Sequence, residues 1–229
     1  MSPSPNGLAL VPGRFRLLLL ALFLAFGGTA VASGTRVERL VDAILLALVL
    51  VAAVLDLRER GRRWRVGGLA AGIILLSVVD LNVQIPHLAS LVDAMMVVFS
   101  GLVVWRAYIA VMRRQRPVGD RIVGAICVYA LIGLAWAKTY EALDGIVPGS
   151  FRFPADTAWA TPGLLRYTYF SFVTLGTLGY GDVTPVTALA GTLAWMEAIT
   201  GQLYLAITVA RLVALSMADS SGSDPAARA

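Results

Sequence analysis

Residues 167–185 read YTYFSFVTLGTLGYGDVTP, and at the centre Thr177, Leu178, Gly179, Tyr180, Gly181 and Asp182 spell TLGYGD. What this hexapeptide offers is oxygen. Glycine visits backbone angles that other residues avoid, so Gly179 and Gly181 at alternate positions let successive carbonyls turn the same way. Thr177 adds a hydroxyl oxygen to its carbonyl, and Asp182 a carboxylate that attracts cations. Two blander readings are a glycine-rich turn between helices and a nucleotide-binding loop. Neither fits well: from Gly176 the glycines run G-x-x-G-x-G, the reverse of the dinucleotide order, no strand precedes them, and no GK[ST] follows. Other chemistry is scarce. One cysteine, Cys127, and one histidine, His87, supply neither a ligand cluster nor a nucleophile triad, so no enzyme activity and no cofactor are expected.

The stretch resembles the selectivity filter of the tetrameric potassium channel family, whose mechanism is known and is carried over with the resemblance. In that family a potassium ion exchanges its water for rings of backbone carbonyls. The resemblance implies that Thr177, Leu178, Gly179, Tyr180 and Gly181 coordinate potassium, with the Thr177 hydroxyl suited to the innermost ion site. It implies that Asp182 stands at the outer mouth, that Tyr180 braces the loop, and that Tyr169 and Phe170 are the aromatic pair beside the filter. The only metal implied is permeant potassium at those carbonyls. Two residues depart from the common form TTVGYGD: Gly176 stands where threonine is usual, and Leu178 replaces valine. Neither removes a carbonyl, but both bear on the stiffness of the filter and its strictness against sodium. The likeness is close over about 165–185, looser over 120–215, and a matter of arrangement alone before that. One filter per chain, where a pore needs four, implies a homotetramer.

A filter must be held by elements that cross a membrane, and the composition allows for them. The chain has 229 residues, of which 58% are apolar and 14% charged, and its mean hydropathy is +0.78. This is an integral multi-pass membrane protein by composition. At about 20 apolar residues per crossing there is room for about six helices. The net charge of +5 could mean nucleic acid in a soluble protein, but here the arginines cluster at the ends of apolar runs. They read instead as a positive-inside signal and as contacts with anionic lipid, and no nucleic-acid partner is expected. Cys127 lies in an apolar run and reads as a small packed hydrophobe.

The expected fold is an all-α membrane protein of six transmembrane helices: a four-helix N-terminal bundle, then a two-helix pore domain with a re-entrant pore helix. Residues 1–13 read as a disordered cytoplasmic tail, 14–116 as the four-helix, voltage-sensor-like domain, 117–217 as the pore domain and 218–229 as a short cytoplasmic tail. Within the first domain the apolar runs are 17–33, about 37–57, about 66–85 and about 87–112. Residues 17–33 have two open readings, a retained first helix or a cleaved secretory signal ending near Ala30-Val31-Ala32. The outer and inner pore helices are placed at about 120–143 and 185–217. Between them about 163–175 is apolar and aromatic but too short to span, which fits a half-helix whose negative dipole end faces the pore centre. Irregular backbone at that depth is tolerated where protein buries it or water lines it. Basic residues set the sides. Arg14, Arg16, the loop Arg58, Arg60, Arg62, Arg63 and Arg65, and Arg106, Arg113, Arg114 and Arg116 face in, against Arg36, Arg39, Lys138 and Arg152. Both termini are therefore expected in the cytoplasm.

Gating is less legible. Voltage does work only on charge that moves through the field, and the fourth helix carries Arg106 alone within it, so weak or no voltage gating is expected. Asp42, Asp56, Asp80 and Asp93 lie in or at the ends of helices two to four, read either as functional groups or as fixed pairs such as Asp56 with Arg106. His87 reads as an interface residue. Gly201 falls where inner helices of the family carry a hinge glycine; close packing against another helix is the equal alternative. Glu197, four residues earlier, is expected to face protein or water behind the pore helix. The readings left open are a potassium-selective channel, a non-selective cation channel on the same frame, and a non-conducting membrane subunit or small transporter.

Overall fold

Long apolar runs ended by glycine, proline or arginine become helices here, and the loop between the last two folds back on itself. The computed structural model describes residues 14–32, 88–112, 118–157, 160 and 163–221. In chain order the elements are α1 (Arg14–Ala32), α2 (Leu88–Val111), α3 (Val118–Ile146), β1 (Phe151–Arg152), α4 (Leu164–Leu175), β2 (Thr184–Pro185) and α5 (Ala188–Ser221). Among the described residues three helical stretches are long and apolar enough to cross a membrane: Asp93–Val111, Gly119–Ile146 and Ala188–Leu215. The chain is a mostly helical membrane protein. The helices expected at 37–57 and 66–85, and the tails 1–13 and 222–229, lie outside the described residues, as do His87, Asp42, Asp56 and Asp80. At its other end α5 stays helical through Ser221, beyond the expected boundary at 217.

The centre of the fold is α3, against which α1, α2, α4 and α5 all pack. One apolar cluster joins Phe15, Leu18 and Leu22 of α1, Met96, Phe99, Val103 and Val111 of α2, and Ala125, Cys127, Val128, Leu131 and Ile132 of α3. A second joins Tyr140 and Leu143 of α3 to Phe151, Leu164, Tyr167, Phe170, Val183 and Ala190. In lipid, removal from water does not drive helices together, so close van der Waals fit must, and small residues permit it. Three glycines do so here. A methyl group at Gly124 would lie 2.6 Å from Val111 Cγ2, at Gly133 2.7 Å from Phe172 Cζ, and at Gly201 2.6 Å from the Leu175 carbonyl oxygen.

Twelve residues give α4 a length of about 18 Å, against about 30 Å for a bilayer core. It is therefore too short to cross, and the segments on either side of it come back together. The return is clipped where β1 pairs antiparallel with β2, Phe151 opposite Pro185 and Arg152 opposite Thr184. The Val186 N–H extends the clip by donating to the Ser150 carbonyl at 2.8 Å.

Candidate functional site

The stretch that follows α4 has a polarised backbone. Gly176 N–H donates to the Phe172 carbonyl at 3.0 Å, Thr177 to Thr174 at 2.9 Å, Leu178 to Val173 at 2.9 Å and Gly179 to Val173 at 3.4 Å. The amides are thus consumed by the last turn of the helix. Among the described residues no hydrogen bond ends on a carbonyl of 177–181. The first part of the loop, through Gly179, thus turns its donors into the helix end while its carbonyls stay free of partners among the described residues.

The dihedral angles alternate in step. Thr177 (φ 56°), Gly179 (φ 58°) and Gly181 (φ 76°) lie in the left-handed region, and Leu178 and Tyr180 do not. For glycine this is cheap; for a β-branched threonine it is an outlier costing on the order of 1–3 kcal/mol. Strain of that size persists only where the surroundings fix it, and here the helix end fixes it through the Thr177 and Leu178 amides. A methyl group at Gly179 or Gly181 would meet nothing within 4 Å, so backbone angle and not crowding calls for glycine there.

The expected site residues fall together. Residues 176–182 are all exposed on the single chain, Leu178 at 58% and Tyr180 at 65%. Tyr169, one face of α4 away, donates its hydroxyl to Asp182 Oδ2 at 2.5 Å, and the Val183 N–H reaches Oδ1 at 2.9 Å. The phenol's hydrogen bond holds the Asp182 carboxyl below its usual range, against a smaller opposing effect of desolvation. Phe170 is buried on the other side of α4, edge-on to Tyr140 and Phe151 with ring centroids 5.1 and 5.3 Å away. Of the aromatic pair, Tyr169 reaches the loop and Phe170 packs behind it.

Gly201 lies against α4, with the Leu175 carbonyl in the space a side chain would take; that carbonyl also accepts the Tyr129 hydroxyl at 3.2 Å. Asp93 lies near the far end of α3, its Oδ2 4.0 Å from where a methyl group on Gly145 would be. Arg106 is exposed on α2.

Two further acidic groups are held by named partners: Glu197, expected to face protein or water behind the pore helix, and Asp144, for which the sequence suggested no role. Glu197 is wholly buried, between Tyr140 and Ser171. Near the clip, Asp144 Oδ1 accepts the Ser150 N–H at 2.9 Å while Oδ2 accepts the Tyr167 hydroxyl at 2.6 Å and Arg166 at 3.4 Å. The Arg166 guanidinium lies 4.2 Å from the Phe153 ring centroid. An ionisable residue inside an apolar segment was the sequence signal for Glu197; Asp144, just past the segment expected at about 120–143, gave none. Among the described residues no group of three His, Cys, Asp or Glu could hold a metal ion.

The chain is 32% identical over 85 residues to the inward rectifier potassium channel Kirbac3.1 of Paramagnetospirillum magnetotacticum, 37% of this chain and 24% of that protein, so it spans about a quarter of the relative's length. Residues 125–217, which hold most of α3 and all of α4, the TLGYGD loop and most of α5, match the family model described as Ion channel.

Proposed function

We propose that the chain is a potassium-selective channel in which four copies set their TLGYGD loops around one axis. The observation that carries this reading is the loop's polarity: the N–H groups of 176–179 turned into the helix end, the carbonyls of 177–181 without a hydrogen bond among the described residues, and left-handed angles at Thr177, Gly179 and Gly181. A dehydrated cation asks for closely spaced oxygens without fixed charge, and this backbone offers them. One chain lines one side of an ion, so closure needs further copies, and the exposure of Leu178 and Tyr180 leaves room for them. The ion channel match and the potassium channel relative support the same reading. In this assembly Thr177, Leu178, Gly179, Tyr180 and Gly181 hold permeant potassium. Asp182 lies at the outer mouth, Tyr169 and Phe170 steady the loop, lipid surrounds the helices, and both termini are cytoplasmic. Residues 17–32 are a retained helix on this view, since Phe15, Leu18 and Leu22 pack into the core with α3.

The test is the purified protein in liposomes, with potassium flux and the reversal potential under opposed potassium and sodium. A reversal near the potassium equilibrium potential supports the proposal. A reversal near zero points to the non-selective cation channel, and no current at all to a non-conducting subunit.

A further inference from the structure

Behind the loop three oxygen contacts meet around Glu197, and their hydrogens can be counted. Ser171 Oγ lies 2.7 Å from the Gly133 carbonyl and 2.5 Å from Glu197 Oε1, and Tyr140 Oη lies 2.5 Å from Glu197 Oε2. Each contact is a hydrogen bond and needs one hydrogen. A serine and a tyrosine hydroxyl supply one each, and the Gly133 carbonyl supplies none. The third has a single remaining source, the carboxyl. With the acid group protonated, Glu197 Oε1 donates to Ser171, Ser171 donates to Gly133, and Tyr140 donates to Oε2, so that every group is satisfied. With it ionised, Ser171 must abandon one partner, and a charge sits wholly buried with no cation among its bonded partners. The groups facing it are Tyr140 and Gly133 from α3 and Ser171 from α4, and Tyr129 lies further along α3.

The cluster has a register. Glu197 and Gly201, one turn apart on α5, meet Ser171 and Leu175, one turn apart on α4; Gly133 and Tyr129 of α3 meet the same two residues. Leu175 is two residues before Thr177, and Ser171 six before it. We propose that Glu197 is a neutral carboxylic acid and a positioning residue, whose donated hydrogen bond to Ser171 fixes the half-helix, and through it the TLGYGD loop, against both long helices. The positioning role rests on the channel reading; the protonation does not.

Infrared spectra of the full-length purified protein at neutral pH test the second part alone. A carboxylic acid carbonyl band is expected, absent from Glu197→Gln and displaced in Ser171→Ala; a wild-type spectrum without it overturns the proposal even in a protein that conducts. Reversal potentials test the first part. Glu197→Gln keeps a donor for Ser171 and an acceptor for Tyr140, so its selectivity should match wild type. Glu197→Ala, in protein that still assembles, should lose about tenfold in potassium over sodium, the order of one hydrogen bond to an acid group. An alanine variant as selective as wild type, or a glutamine variant as poor as alanine, removes the role. If the wild type carries no potassium current, the channel reading fails while the infrared band still decides the protonation.

Discussion

Thr177 pays a backbone cost that its glycine neighbours do not, and this separates two contributions of one residue. Thr177→Gly removes strain on the order of 1 kcal/mol while deleting the hydroxyl. The variant should be no less stable to heat than wild type and yet conduct worse; lower stability would mean that the left-handed angle costs nothing at this position. Gly181→Ser tests the converse. It imposes a side chain at φ 76°, at a cost of about 1–2 kcal/mol, and should degrade potassium selectivity. Asp182 offers a pH test. The Tyr169 hydroxyl lowers its carboxyl, so the bond is present above the ordinary aspartate range and is lost as pH falls through the lowered value. Conductance should therefore stay level through mildly acid external solutions and drop only below the usual aspartate range. In Tyr169→Phe the drop should begin at higher pH, and identical titrations in the two proteins would refute the role given to this hydrogen bond. The glycines were legible beforehand, and the family resemblance had named Asp182 and Tyr169 beside the loop, but neither the hydrogen bond between them nor the angle of Thr177 was. TLGYGD could be read because glycine spacing is local, whereas Thr177's angle contradicts its own preference, and the partners of Glu197 lie 57 and 26 residues away.

The elements were more legible than their contacts. Hydropathy placed α3 at about 120–143 and α4 at about 163–175, against Val118–Ile146 and Leu164–Leu175, because apolar length and a preceding proline are sequence properties. The pairing of β1 with β2 was not foreseen, since two residues carry no periodic signal. Gly201 was open between hinge and packing, and contact energetics give a test. A methyl group there meets backbone at 2.6 Å, whereas at Gly191 on the same helix it meets nothing within 4 Å. Gly201→Ala should lower thermal stability by about 1–3 kcal/mol, and Gly191→Ala should leave it unchanged or raise it by up to about 1 kcal/mol. Equal melting temperatures in detergent for the two variants would refute the packing account.

At the scale of the whole molecule, much of α5 is apolar and uncovered, including Trp195, Ile199, Leu203, Ile207 and Val213. Lipid can cover some of that surface, but the exposed loop beside it needs protein. Native mass spectrometry should find four times the 24.3 kDa chain; a stable monomer that still conducts would overturn the assembly. With Arg106 alone in α2, the voltage dependence of opening should correspond to fewer than about two charges crossing the field.

The short pairing of Phe151 and Arg152 with Pro185 and Thr184 bears on how freely this protein can be altered. It shuts α4 and its loop into one closed circuit, on which Ala155, Asp156 and Thr157 are exposed. Loop closure entropy rises only logarithmically, about 0.6 kcal/mol for each doubling of length. A short tag or reporter peptide inserted near Asp156, on the exposed side of that circuit, should leave ion passage intact, and the same insertion between Leu175 and Thr177 should abolish it.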